Sequence, residues 1–234
     1  MSSTIFITAD SKRQYNRTLF KEVAPRYDLI TRILSFGRDK SWKRWLLKHL
    51  PSEMQSAVLD LACGTGDLTR ALAKKYPGAQ VTGLDLTPEM LALAKGPEGI
   101  TWKEGDMGAL QNNDESIDII TGGYALRNAP DLDICLNEIS RVLRPGGTAA
   151  FLDFSAPTSP LLRKLHYGLL WGWGALWGLL IHGKPSVYAY IANSLARFPH
   201  RQLLYQQLAD HQIPVVNHRR FMLGMIEVLI CKKS

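Results

Sequence analysis

The stretch Ala57-Val58-Leu59-Asp60-Leu61-Ala62-Cys63-Gly64-Thr65-Gly66-Asp67-Leu68-Thr69 decides the fold. It opens as a short apolar run, the pattern of a buried strand. It then breaks into a turn of small residues, 62–66, and continues into 67–75, rich in good helix formers. A strand that turns through glycines into a helix leaves backbone N–H groups free at the turn, beneath a positive helix end. In open α/β sheets such ligand sites lie at the carboxyl ends of the strands.

The dinucleotide fingerprint needs three glycines, G-x-G-x-x-G; here Gly64 and Gly66 are followed by Thr69 at the third place. Asp60 and Asp67 flank the turn, and two carboxylates suit a cationic ligand better than a pyrophosphate. The next strand, 80–84, ends in Asp85, about 20 residues beyond the loop, where an acid fits a ribose diol. The alternative is a plain βα turn with no nucleotide.

The run from Leu59 to Asp67, then Gly83-Leu84-Asp85, then Glu104-Gly105-Asp106-Met107, resembles the S-adenosylmethionine site of the seven-stranded (class I) methyltransferases. That resemblance implies an α/β, Rossmann-like fold: a seven-stranded, mostly parallel sheet with helices on both faces. It implies that Asp60 faces the methionine end of the cofactor, Asp85 the ribose hydroxyls and Asp106 the adenine amino group. Tyr27, Ala62, Gly64, Thr65, Gly66, Leu86, Met107 and Gly123 complete the implied cofactor set, with S-adenosyl-L-homocysteine as product and no metal.

The chain has 234 residues, 46% hydrophobic and 21% charged, which fits one α/β domain. The net charge of +7 is spread over scattered residues and local pairs such as Lys43-Arg44 and Arg163-Lys164, with no long basic run. Solvated charge is the first reading; with no appended RNA-binding module and no basic aromatic stripe, nucleic acid is not expected. Cys63, Cys135 and Cys231 form neither a disulfide framework nor a CxxC metal motif, and His49, His200, His211 and His218 are dispersed and lack ligand spacing. The first ten residues lack a secretory n-region and apolar core, so the cytoplasm is expected; they are expected to be ordered only by docking.

Three helices are read in front of the sheet: 11–21, a second ending near Gly37, and 39–50 with Trp42, Trp45, Leu46 and Leu50 at core spacing. They form a helical cap, 1–52. The cofactor-binding core, 53–154, alternates strands 58–61, 80–84, 100–103, 116–121 and 148–153 with helices 67–75, 88–95 and 131–143, and 144–147 reads as a sharp turn. Residues 155–212 are read as an apolar lid and acceptor region, and 213–234 as closing strands, with 215–216 and 221–232 paired. Residues 165–183 contain no Asp, Glu, Lys or Arg. Their centre, 169–181, is shorter than the about 20 residues of a spanning helix and is interrupted by Gly172, Gly174 and Gly178. It reads as a lid that is buried or touches a membrane, or as a plain core helix.

Further motifs narrow the family. Val23-Ala24-Pro25-Arg26-Tyr27-Asp28 with Leu34-Ser35-Phe36-Gly37, Tyr124-Ala125-Leu126-Arg127-Asn128, and Tyr188-Ala189-Tyr190-Ile191-Ala192-Asn193-Ser194 resemble the ubiquinone/menaquinone biosynthesis C-methyltransferases. The resemblance implies C-methylation of a lipophilic quinol, a demethylmenaquinol or a ubiquinol precursor. It makes Arg127 and Asn128 the catalytic candidates and Tyr124 a pocket residue. Arg127 holds a phenolate or polarises a water; as a permanent cation it is no base. His166, Tyr167 and Tyr188 are candidate acceptor contacts. The chain departs from the family pattern at Thr31 (usually Asn), at Trp173 (usually Pro) and at 221–225, where Phe-Met-Leu-Gly-Met replaces Asn-Leu-Thr-Gly-Gly. Two other readings stay open: methylation at C, O or N of a specialised aromatic metabolite, and a fold that uses the cofactor structurally for cyclisation. The expected partner is a lipophilic aromatic acceptor; peripheral membrane contact and a homodimer are also open.

Overall fold

The computed structural model describes residues 8–53 and 55–234, so the expectation for the first seven residues lies outside it. Three helices come first: α1 (Ala9–Val23), α2 (Tyr27–Leu34) and α3 (Asp39–His49). Thr8 starts α1 with a capping box, its hydroxyl accepting from the Ser11 backbone N–H at 3.1 Å. The alternation follows: β1 (Ala57–Leu61), α4 (Asp67–Lys75), β2 (Gln80–Asp85), α5 (Pro88–Leu91), β3 (Ile100–Glu104) and β4 (Ile117–Gly123). A single 3-10 turn, Leu126–Asn128, leads to α6 (Leu132–Val142) and β5 (Leu143–Phe154). Three helices, α7 (Pro160–His182), α8 (Ser186–Leu195) and α9 (Arg201–Asp210), precede the closing hairpin β6 (Val215–Phe221) and β7 (Ile226–Lys232).

The strands form one seven-stranded sheet in the order β3-β2-β1-β4-β5-β7-β6. The pairs β1–β2, β1–β4, β2–β3 and β4–β5 are parallel, and β7 runs antiparallel to both β5 and β6. This is the mostly parallel sheet expected. The period-2 alternation of strands sends successive residues to opposite faces. Leu59, Leu61, Ile120, Phe151 and Leu229 pack beneath α6 and α9. Val58, Val81, Ile119, Leu152 and Val228 pack against Trp42 and Leu46 of α3 and Leu68 and Leu72 of α4. A third cluster joins Leu19, Val23 and Ile30 of the cap to Val187, Tyr188 and Tyr190 of α8. The cap is therefore sewn to the region after the sheet, far away in sequence.

Several boundaries differ from the sequence reading. The helix expected over 88–95 ends at Leu91. Pro97 cannot continue a helix, and the Arg70 guanidinium takes the Lys95 carbonyl at 2.8 Å. Residues 144–147 do not separate helix from strand. β5 begins at Leu143, opposite Ile117, and its register shifts before Thr148 pairs with Ile119, so the Pro-Gly-Gly segment is an irregularity within the strand. Phe221 closes β6 rather than opening the last strand; the hairpin turns at Met222–Gly224. The apolar region is one 23-residue helix, α7, and among the described residues no helix is long and apolar enough to cross a membrane.

Candidate active site

The glycine turn after β1 is built from left-handed backbone: Ala62, Gly64 and Gly66 have φ of 49°, 57° and 81°. At Gly66 a Cβ would lie 2.3 Å from the Trp102 ring, so both conformation and space require glycine. The cap clamps this turn. Thr65 Oγ1 donates to Asp28 of α2 at 2.7 Å, and Lys43 of α3 reaches Asp67 at 2.7 Å.

A cleft opens above the carboxyl ends of β1, β2 and β4, lined by Tyr27, Ala62, Gly64, Asp85, Leu86, Asp106, Met107 and Gly123. The Asp85 carboxylate accepts from the backbone N–H of Gly64 at 2.8 Å and of Thr87 at 2.9 Å. Burial raises its pKa; those N–H groups oppose the rise. Asp106 accepts from the Gly108 N–H at 2.8 Å and from Arg13 Nε at 2.6 Å. Two further ion pairs, Arg17–Glu104 at 2.7 Å and Lys21–Glu89 at 2.8 Å, extend the same side of α1 across the cleft. Residues four apart share a helix face, so the three cations form one row over the acids that follow β2 and close or follow β3.

Three residues expected at the cofactor do not line the cleft. Thr65 and Gly66 face the cap and Trp102. Asp60 lies under the sheet end at 1% exposure, and both its carboxylate oxygens accept from threonines: Thr69 Oγ1 and Thr121 Oγ1, each at 2.6 Å. Burial pushes the Asp60 carboxyl up to about 6, against the pull of those two hydrogen bonds. It ties β1 to β4 and α4. The reason is register: Asp60 pairs with Thr121 across the two strands.

A second cavity, about 520 Å³, lies between the cap, α7, α8 and the closing hairpin. Its lining is almost wholly apolar, and its volume falls in the range of small-molecule pockets. Arg127, Asn128, Tyr124 and Tyr188 line it; the structure brings these together. Tyr124 sits at a positive φ of 61° just past β4, and its hydroxyl donates to Asp39 at 2.7 Å. Asp39 in turn pairs with Lys43 at 2.7 Å. The Arg127 side chain is 4% exposed, hydrogen-bonds to Ser194 Oγ, and lies 3.5 Å from Asp153 through Nε. Its guanidinium also stands over the Phe154 and Tyr190 rings, at 5.3 and 5.6 Å from their centroids. Asn128 donates to the Tyr124 carbonyl at 2.8 Å, while its Oδ1 accepts from Tyr190 Oη at 3.0 Å. The same Tyr190 hydroxyl lies 2.7 Å from Asn16 Oδ1 of α1, so the two amide oxygens compete for its single proton, and Asn16 donates to the Asn128 carbonyl at 2.7 Å. Cap, strand end and α8 thus share one buried polar network.

His166 and Tyr167 are not brought to the cavity. His166 is buried but lies N-terminal to the stretch of α7 that lines the cavity, and burial lowers its pKa. Tyr167 packs on the sheet core and donates to the Leu195 carbonyl at 3.2 Å. The cavity takes only the segment of α7 that carries Gly168, Leu169, Leu170, Gly172 and Trp173, which begins past His166 and Tyr167. All three departures from the family pattern line the cavity: Thr31, Trp173, and Met222 with Met225 of the closing turn. Thr31 belongs to the cap and to the pocket at once. Sequence reasoning assigned no site role to Asn16, Asp39, Phe154 and Tyr190. Tyr190 and Ser194 lay inside a quoted signature; nothing local marked Asn16 or Asp39.

Phe20, Tyr27, Tyr124 and Asn128 line both the cleft and the cavity. The two spaces meet there, which is the arrangement a group transfer between two bound molecules needs. Among the described residues no group of three His, Cys, Asp or Glu side chains is placed to hold a metal ion, and the three cysteines are buried and unpaired.

Comparison with known proteins agrees with this geometry. Residues 8–233 match the sequence model of the ubiE/COQ5 methyltransferase family. The ubiquinone/menaquinone biosynthesis C-methyltransferase UbiE of Desulfotalea psychrophila is 33% identical over 218 residues, covering 90% of this chain and 87% of that protein. The demethylmenaquinone methyltransferase of Lactobacillus johnsonii is 39% identical over 194 residues, covering 77% of each. Among solved structures, a putative methyltransferase in complex with the Haloferax volcanii Trm112 activator superposes with a TM-score of 0.66 at 19% identity, over 92% of this chain and 97% of that one. The geranyl diphosphate C-methyltransferase of Streptomyces coelicolor, solved with S-adenosyl-L-homocysteine, gives 0.62 at 12% identity, over 83% and 79%. These two show the fold.

Proposed function

The chain belongs to the ubiE/COQ5 methyltransferase family, and on that premise we propose that this S-adenosylmethionine-dependent methyltransferase C-methylates a lipophilic quinol of the demethylmenaquinol or ubiquinol-precursor type. The observation that carries the reading is the meeting of a carboxylate-lined cleft with an apolar cavity at Phe20, Tyr27, Tyr124 and Asn128.

The cleft fits the cofactor. Asp85 closes β2 and Asp106 lies two residues past the end of β3, as a diol and an exocyclic amine require, and the backbone at Gly64, Gly105 and Gly123 leaves room beside them. Bound there, S-adenosylmethionine supplies a methyl group already activated on a sulfonium. Asp85 would hold the ribose and Asp106 the adenine, with Arg13 withdrawing from Asp106. What remains for the protein is alignment and exclusion of water. The apolar walls of the cavity exclude water, and the cap closes the space above. Arg127 provides a directed N–H donor for the oxygen of an ionising phenol, whose anion makes the adjacent ring carbon nucleophilic. Its pairing with Asp153 leaves the site nearly neutral, so the stabilisation is directional hydrogen bonding more than net charge. Asn128 fixes the backbone that carries Arg127 and Tyr124. We further propose that the enzyme works in the cytoplasm in peripheral contact with a membrane.

The position of Thr31, Trp173, Met222 and Met225 on the cavity wall favours a second reading, a specialised aromatic acceptor. The test is methyl transfer from labelled S-adenosylmethionine to demethylmenaquinol, a demethoxyubiquinol analogue, catechols and indoles, with product mass spectra, for the parent and for Arg127→Lys. A carbon-methylated quinol from the parent is expected, falling about 10²-fold or more in the variant, the usual cost of losing a directed oxyanion donor, with cofactor affinity retained. Methylated catechols or indoles with no quinol product overturn the quinol assignment.

A further inference from the structure

We propose that the outward face of α7 is a docking surface for an anionic lipid bilayer, and that the acceptor passes directly from that bilayer into the cavity. The inference deepens the lipophilic-acceptor reading and rests on it for the passage, though not for the docking.

The face is continuous. Leu161, Leu165, Leu169, Leu176, Leu179 and Leu180 are 77%, 56%, 54%, 46%, 54% and 63% exposed. Their spacing places them on one stripe along the helix, with Gly168 and Gly172 between them. The opposite strip, Gly174 and Gly178, lies against the backbone of Tyr188 and Lys184, so α7 is seated on α8 by one side and bare on the other. Seven exposed leucines on one helix of 23 residues, Leu162 included, exceed the scattered surface apolars that need no explanation. With no described helix able to cross a membrane, the geometry is that of a helix lying in the interfacial plane.

Charge selects the partner. From Ser155 to Ala209 there is no Asp or Glu, and Arg163, Lys164, Lys184, Arg197 and Arg201 are the charged residues. The neighbouring cap adds exposed Arg26, Arg32, Arg38 and Lys40. The acid facing this region, Glu22, is paired with Lys184 at 2.7 Å, and the exposed Asp28 accepts from Thr65. An apolar stripe within a basic surround suits lipids with negative head groups. A second copy of the chain would bring the same basic surround against itself.

The stripe also reaches the site. Leu169 is exposed and lines the cavity, as do Gly168, Gly172 and Trp173. Phe36, 60% exposed, stacks on Trp173 at 5.0 Å and lines the same space. A hydrophobic tail leaving the cavity between Phe36 and α7 stays against apolar side chains until it meets the acyl region.

The test is vesicle flotation of the full chain without cofactor or acceptor, so it stands apart from any failure of the methyl-transfer assay. Phosphatidylcholine vesicles with and without phosphatidylglycerol are compared, for the parent and for the triple variant Leu165→Glu/Leu176→Glu/Leu179→Glu. The parent is expected to float with the anionic vesicles, about tenfold more than with neutral ones. The variant is expected to lose that binding by about tenfold or more while keeping turnover of a short-chain acceptor. A tryptophan placed on the stripe by the exposed substitution Leu176→Trp is expected to be quenched by brominated anionic lipid well beyond the parent's own tryptophans, which adds no charge to the helix. Absence of that added quenching, equal flotation of parent and triple variant, or a parent dimer that the triple variant dissolves without any vesicle binding overturns the proposal.

Discussion

Gly174→Ala places a methyl group where two helices touch. A Cβ built at Gly174 lies 2.5 Å from the Tyr188 carbonyl oxygen and 2.7 Å from its carbon, whereas ordinary contact begins at 3.4 Å. The obstacle is backbone, so no rotamer relieves it; α8 must move by most of an ångström relative to α7. Forcing one extra carbon into a packed contact costs about 1–3 kcal/mol, against a gain of about 1 kcal/mol from replacing a helical glycine by alanine. The net loss is about 1 kcal/mol, or about 2–4 °C of Tm for a chain of this size. Gly172→Ala, two residues away on the exposed side, meets nothing within 4 Å. It keeps only the propensity gain, so its Tm is expected to rise by about 2–4 °C. Because α8 carries Val187, Tyr188, Tyr190 and Ile191 into the cavity, Gly174→Ala is also expected to raise the acceptor KM with cofactor affinity unchanged. Thermal unfolding monitored by circular dichroism checks the pair. If both variants move Tm in the same direction, α7 and α8 are not seated as described and the packing argument fails.

Two more expectations follow from buried carboxylates. Burial pushes Asp60 up to about 6 from an ordinary 3.8, so between about pH 4 and 6 the folded chain holds a proton that the unfolded chain has released. Stability therefore falls as pH rises through that window and levels off above it, by about 3 kcal/mol at most; Asp60→Asn is expected to flatten this dependence in denaturant titrations from pH 4 to 7, and an unchanged slope refutes the assignment. Asp85→Ala strands the Gly64 and Thr87 N–H groups, each costing about 1–3 kcal/mol when buried without a partner. Calorimetry is expected to show loss of S-adenosylmethionine binding by the folded fraction, and unchanged affinity rejects the ribose role.

The sheet was legible because its signals are local. The apolar runs at 58–61 and 117–121, the glycines at 64 and 66 and the acids closing β2 and β3 lie within short windows, and periodicity reads them directly. Where boundaries slipped, a distant partner decided them. The Lys95 carbonyl, near the early end of α5, is taken by Arg70, and the irregularity in β5 is set by the register against β4. The site divides in the same way. Asp85, Gly64 and Arg127 stand in motifs whose residue types carry their own chemistry. The fate of Asp60 does not: whether it faces ligand or threonine depends on Thr121 being its cross-strand neighbour.

The amino-acid sequence by itself thus determined the seven-stranded α/β fold, the strand-end cleft and the family, since all three rest on spacing within contiguous segments. Only the tertiary structure decided which wall the cap and α8 present to the acceptor. Asn16, Asn128 and Tyr190 are brought within hydrogen-bond distance from three separate segments. It also decided which side of α7 is bare, because a helix that is apolar all round carries no stripe to read, and the glycines that admit α8 are chemically identical to those left facing outward.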